Sequence, residues 1–118
     1  MRNTRLVVNA MEPRAAIGEF EQTSGRWVLH SCSQGAFGMK TALVDILGVP
    51  ADKVRVLTGN VGGSFGMKAA GDPEYICILH AARALGRPGK GTYDRSCSFV
   101  SDHRGRDHEV TGGLALGK

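Results

Sequence analysis

Two segments of this chain end in the same punctuation, Leu47-Gly48-Val49-Pro50 and Leu85-Gly86-Arg87-Pro88, and each is followed by a short stretch that reads as a strand. A glycine after a helical stripe takes left-handed backbone that other residues avoid, and a proline two residues later cannot continue the helix. The first stripe covers residues 36–47, where Ala36, Met39, Leu43, Ile46 and Leu47 fall at helical spacing while Lys40 and Asp45 lie off it. The second opens on Asp72 as N-cap with Pro73 at the first helical position, and carries Tyr75, Ile78, Leu79, Ala82 and Leu85. Two copies are too few for a repeat protein, so the pattern predicts two successive helix-to-strand steps.

Residues 26–31 alternate as a short strand, with Trp27 and Leu29 facing opposite to Val28 and His30. Ahead of them, Leu6-Val7-Val8 is a second apolar run and residues 22–25 form a polar turn, which predicts a hairpin-like start. Val54 and Val56 alternate with Lys53 and Arg55 as a half-buried strand. A strand–helix–strand crossover of this length joins parallel strands. The expected fold is therefore α+β: a two-layer sandwich of a mixed sheet and two main helices. With 118 residues there is room for one core, as a whole domain or as part of a larger one. Parallel strands would open the loops at residues 31–35 and 59–71 on one sheet edge, where ligands bind in such folds.

Fifteen Lys and Arg against eleven Asp and Glu give a net charge of +4, enough to favour an anionic ligand but short of a nucleic-acid binder. No apolar run is long enough to span a membrane and residues 1–14 lack the apolar core of a secretory signal, so the expected location is cytoplasmic. Cys32, Cys77 and Cys97 are odd in number and widely spaced, which argues against a disulfide framework, and Cys32 reads as a small buried apolar residue. Asp102-His103 and Asp107-His108 read as solvated surface in an Arg-rich turn, and His30 and His80 as half-buried strand and helix positions.

Glycine makes up 17 of 118 residues, about twice its usual share, and Gly59, Gly62, Gly63 and Gly66 fall within eight positions. Such a stretch leaves backbone N–H groups uncovered and lets a ligand approach closely. It does not follow the phosphate-loop pattern, because Lys68 follows Met67 and precedes Ala69, and it lacks the dinucleotide spacing. Composition leaves a ligand loop and a flexible surface turn both open.

The order Val61-Gly62-Gly63-Ser64-Phe65-Gly66-Met67-Lys68 resembles the glycine-rich, Phe-containing loop of the molybdenum hydroxylases, the xanthine dehydrogenase and aldehyde oxidase family. Met11-Glu12-Pro13-Arg14, Ser33-Gln34-Gly35, Gly86-Arg87-Pro88, Asp94-Arg95-Ser96 and Gly105-Arg106-Asp107-His108 extend the resemblance over residues 3–110. It is nearest to bacterial large subunits of the xanthine or carbon-monoxide dehydrogenase type.

The resemblance implies that residues 1–118 are part of a larger molybdopterin-binding domain of an oxidoreductase. It implies that the Gln34 amide hydrogen-bonds an oxygen ligand of molybdenum, and that Gly35, Gly62, Gly63, Ser64, Phe65 and Gly66 line the cofactor. Read from the residues alone, Gln34 caps its own loop and Phe65 is a core anchor. The implied cofactor is molybdenum–molybdopterin in its cytosine dinucleotide form, held by its own sulfurs, with no direct protein ligand to the metal. The implied partners are the remainder of the large subunit, subunits carrying 2Fe-2S and FAD, and a small-molecule substrate, with neither nucleic acid nor membrane.

No segment matches the family's glutamate base, so the chain is expected to supply one wall of the site and to be inactive alone. The other reading is a non-catalytic α+β binding or scaffold module that keeps the loop only as structure. Gly89 and Gly91 stand where the family pattern has β-branched and aromatic strand residues, and Gly112, Gly113 and Gly117 replace a charged strand. Glycine weakens strands, so the C-terminal third is expected to fold less stably.

Overall fold

A computed structural model describes residues 1–117. In chain order the elements are β1 (Arg2–Asn3), β2 (Ala15–Glu21), β3 (Arg26–Ser31), α1 (Ala36–Leu47), β4 (Val54–Leu57), α2 (Pro73–Leu85), β5 (Gly89–Thr92), α3 (Arg95–Ser101) and β6 (His108–Glu109). A four-stranded sheet has the order β4-β3-β2-β5, and β1 pairs with β6 in a separate ribbon. β3 and β4 are parallel, as the crossover requires, while β2 runs antiparallel to both β3 and β5. The fold is the expected α+β arrangement, with α1 and α2 packed on a mixed sheet. Between the layers lie Ala16, Trp27, Leu29 and Val54 from the sheet, Met39 and Leu43 from α1, and Tyr75 and Leu79 from α2.

Both helices end as their punctuation requires, with Gly48 and Gly86 in left-handed backbone at φ 63° and 64°. The buried stripes are narrower than the spacing suggests. Met39, Leu43, Tyr75, Leu79 and Ala82 are buried, whereas Ile46 and Leu85 in the last turns face outward. His30 is half-buried and lies 3.5 Å from Glu19. His80, in contrast to its expected half-burial, is exposed, with its ring edge-on to Trp27 at 5.3 Å. Cys32 is buried, while Cys77 and Cys97 are exposed. Among the described residues no helix is long and apolar enough to cross a membrane.

The hairpin turn at residues 22–25 forms, with Gly25 N–H donating to the Glu21 carbonyl at 2.8 Å. Its first strand, however, is Ala15–Glu21 rather than the Leu6-Val7-Val8 run, where Leu6 makes a lone bridge to Gly105. The composition of β2 hid it, because small residues interrupt its apolar pattern, and the packing explains one of them, Gly18. A Cβ at Gly18 would stand 2.8 Å from Ile78 Cγ2 and 3.1 Å from the Leu79 backbone nitrogen.

The same helix accounts for one glycine of β5, Gly91, whereas a Cβ at Gly89 would make only an ordinary contact. A Cβ at Gly91 would meet Ile78 Cδ1 at 2.4 Å, and one at Gly89 would meet Ile78 at 3.6 Å. These glycines therefore do not abolish the strand: β5 pairs with β2 over four residues, and α2 lies close above both. Gly112, Gly113 and Gly117 face open space, and nothing in the structure explains them. Gly18→Ala is expected to destabilise the chain by about 2 kcal/mol, because backbone of α2 must move to admit the methyl group. Urea unfolding would measure it, and a change below roughly 0.5 kcal/mol would mean that the helix shifts freely.

Candidate functional site

Because β3 and β4 are parallel, the loops that follow them leave the same edge of the sheet, and β2 begins there, so residues 10–14 arrive at that edge too. The two loops are bonded directly. Gln34 N–H donates to the Lys68 carbonyl at 3.1 Å. At the other end of the residue, Gln34 Oε1 accepts from Ser64 Oγ at 2.6 Å and from Gly66 N–H at 3.0 Å. Ser64 Oγ in turn accepts from Lys68 N–H at 3.2 Å. Gln34 does not cap α1: the N-cap position is Gly35, in extended backbone, whose N–H donates to Ser33 Oγ at 3.0 Å.

Phe65 is not a core anchor. It is 78% exposed and held at φ 51°, a left-handed conformation uncommon for a residue with a Cβ. Gly66 follows at φ 92°, and Gly63 packs beside Ala10 and the Phe65 ring. The remaining sequence-expected residue, Gly62, sits on the N-terminal segment. Its N–H donates to Glu12 Oε2 at 2.9 Å, its carbonyl accepts from Glu12 N–H at 3.1 Å, and a Cβ there would stand 2.6 Å from Glu12 Cβ.

Beneath the loop lie charged groups whose roles the sequence did not disclose. Lys68 is fully buried and its Nζ donates to Glu12 Oε2 at 2.9 Å. That hydrogen bond holds the Glu12 carboxyl below the usual carboxylate range, against the opposing effect of partial burial. Arg14 is buried as well: its Nε donates to Asp102 Oδ1 at 2.6 Å and lies 3.5 Å from Asp72, and its Nη2 donates to the Met67 carbonyl. Arg95 donates to the carbonyls of Met11 and Ala10.

Asp102 is thus a buried ion-pair partner rather than solvated surface, since α3 carries it inward to Arg14. Asp72 occupies the N-cap position of α2, yet its side chain caps nothing; it accepts from Tyr93 Oη at 2.8 Å and faces Arg14. The Met11–Arg14 and Asp94–Ser96 segments were the available signal for this underlying layer, and Lys68 was visible as the end of the glycine-rich loop, without a sign of its burial.

Three concave surfaces of about 500, 710 and 350 Å³ are lined by other residues. Gln34 and Phe65 line none of these three and stand exposed on the surface. A family model described as a molybdopterin cofactor-binding domain matches residues 1–118. The chain belongs to that family.

Relatives of this molybdopterin-binding-family chain differ in what their names say they act on. It is 30% identical over 105 residues to the carbon monoxide dehydrogenase large chain of Hydrogenophaga pseudoflava, covering 89% of this chain and 13% of that one. It is 28% identical over 107 residues to the nicotine 6-hydroxylase large subunit of Paenarthrobacter nicotinovorans, covering 91% and 13%. The crystal structure of quinoline 2-oxidoreductase from Pseudomonas putida 86 superposes with a TM-score of 0.82 at 29% identity, over 87% of this chain and 13% of that chain. The chain therefore spans about an eighth of the length of these relatives.

Proposed function

We propose that this chain supplies one wall of a molybdenum–molybdopterin site in an oxidoreductase of the hydroxylase type. The observation that carries the reading is the exposed Phe65, held in left-handed backbone beside an amide whose oxygen is already saturated by two donors. An aromatic ring left in water on a strained backbone is a cost that folding alone would not retain, and such strain gathers at ligand sites.

When bound, molybdenum–molybdopterin supplies the redox chemistry. The residues here fit such a group from its periphery. Gln34 offers uncharged donors, the Gly66 region leaves main chain uncovered, and Phe65 offers a ring to exclude water from one side. Gly35, Gly62, Gly63 and Ser64 shape the two loops that carry these groups. Glu12, the carboxylate bonded to the loop, is kept ionised by Lys68 and is engaged by two donors, so it is poorly suited to serve as a base near neutral pH. The chain is accordingly assigned a holding role, with turnover requiring further protein.

The finer reading is the cytosine dinucleotide form of the cofactor, a cytoplasmic location, and work beside further large-subunit sequence and subunits that carry 2Fe-2S and FAD. Carbon monoxide, nicotine and quinoline in the names of the relatives show that this segment is compatible with unlike substrates, so no one substrate is assigned. Purified from cells that make molybdopterin, the chain is expected to carry pterin and molybdenum, measured by pterin fluorescence and metal analysis. Gln34→Ala is expected to weaken retention about tenfold, the order of one hydrogen bond to a charged group. A folded chain with neither pterin nor molybdenum would leave the loop as inherited scaffold.

Phe65→Gly separates binding from folding. It relieves the left-handed strain and loses little burial, so it is expected to leave stability unchanged or raise it by up to about 1 kcal/mol while lowering cofactor retention. A loss of stability above roughly 1 kcal/mol would return Phe65 to a structural role.

A further inference from the structure

The hydrogen bonds around Gln34 have a fixed direction. Backbone N–H groups only donate, so the Gln34 side-chain atom that faces Gly66 N–H must be the acceptor, Oε1. Lys68 N–H occupies Ser64 Oγ as donor, which leaves the single Ser64 hydroxyl proton for the same Oε1 at 2.6 Å. Both lone pairs of Oε1 are then filled from the loop. The other end of the residue is anchored by its main-chain bond to the Lys68 carbonyl. Gln34 is exposed, so its Nε2 group, turned away from the loop, shows two N–H donors and no acceptor to whatever lies above the surface.

We propose that Ser64 is a positioning residue: its hydroxyl, oriented by Lys68 N–H, fixes the Gln34 amide with the nitrogen outward, so that this surface selects an oxygen acceptor and rejects a donor. The ligand half of this inference rests on the cofactor reading above, whereas the orientation of Gln34 does not. Gly66 N–H by itself sets which way the amide faces, and Ser64 determines how firmly it stays there. An amide restrained by one donor swings out to water, where either end can present itself. One restrained by two presents donors only.

The test uses the full 118-residue chain, uniformly labelled with nitrogen-15 and free of cofactor. The side-chain amide of Gln34 is expected to be rigid by nitrogen relaxation, and Ser64→Ala to raise the population of released rotamers about fivefold, the worth of one ordinary hydrogen bond. Ser64→Thr keeps the hydroxyl and is expected to restore the rigid signal, which a loss of loop packing alone would not. A Gln34 amide equally mobile in the wild-type and Ser64→Ala chains overturns the proposal, as does a folded Ser64→Thr chain that behaves like Ser64→Ala. In cells that make molybdopterin, Ser64→Ala is expected to lower pterin content severalfold and Ser64→Thr to restore it. Absence of pterin from the wild-type chain overturns the ligand half alone, because the relaxation data are read without cofactor.

Discussion

Arg14→Ala is expected to destabilise the chain by about 3–5 kcal/mol, the range for breaking a buried ion pair from one side. Arg14 joins three parts of the molecule: the end of α3, the start of α2 and the glycine-rich loop. Asp102 at the end of α3 accepts at 2.6 Å, Asp72 at the start of α2 lies 3.5 Å away, and the Met67 carbonyl accepts from the ligand loop. Burial works against charge on the guanidinium, but the hydrogen bond it donates to Asp102, together with the nearby Tyr75 and Asp72, more than offsets it, so its proton is held more tightly than usual. Alanine would leave two largely buried carboxylates without their cation and a loop carbonyl without its donor.

Against a typical total of about 5–15 kcal/mol, that loss is large enough to populate unfolded chain without denaturant. In urea, the midpoint is expected to fall by roughly 2 M for a slope near 2 kcal/mol/M. Arg14→Lys is expected to recover only part of it, since a single ammonium cannot reproduce the fork that reaches both Asp102 and Met67. A shift in stability below about 1 kcal/mol for Arg14→Ala would show that water enters the cluster and rehydrates the carboxylates.

The second large effect is asymmetric across one ion pair. Glu12→Ala strands the ammonium of Lys68, which is fully buried and pairs with no other carboxylate among the described residues. It is expected to cost about 3 kcal/mol. Lys68→Met removes the buried charge and leaves Glu12, whose side chain is 37% exposed, to be hydrated while it still accepts from Gly62 N–H. That change is expected to cost under about 1 kcal/mol.

The double variant should therefore be more stable than Glu12→Ala alone, and a double-mutant cycle measures the difference. Additive losses would mean that Lys68 reaches water. The pH dependence follows from the sign of the Glu12 shift. Its carboxyl lies below the ordinary value of 4.5 in the folded chain, so its contribution is complete above about pH 4.5 and is lost as pH falls through the lowered value. In Glu12→Ala this acid-side loss should shrink.

Much of the fold was legible because its signals are local. Helix ends were marked by Gly48 with Pro50 and by Gly86 with Pro88, and β3 by alternation over six residues. The hairpin partner was not legible. The apolar pattern of Ala15–Glu21 is broken by Gly18 because Ile78 and Leu79 of α2 press on that position, and that pressure comes from about sixty residues away. For the same reason Gly91, which reads as a weakness of β5, is where the sheet admits Ile78.

At the candidate site, residue order marked Gln34 and the glycine-rich loop. It did not mark Asp102 as buried, nor show that Ser64 bonds Gln34. By itself the sequence determined the two helix-to-strand steps, the sheet edge to which their loops return, and the glycine-rich segment carrying Phe65. Each of these depends on backbone preferences expressed within a few residues. Only the tertiary structure decided which charges are structural. The bonds from Lys68 to Glu12 and from Arg14 to Asp102 span 56 and 88 positions, and a charge is stable out of water only where the fold delivers its partner. Sequence states that the charges exist; packing decides which of them water can reach.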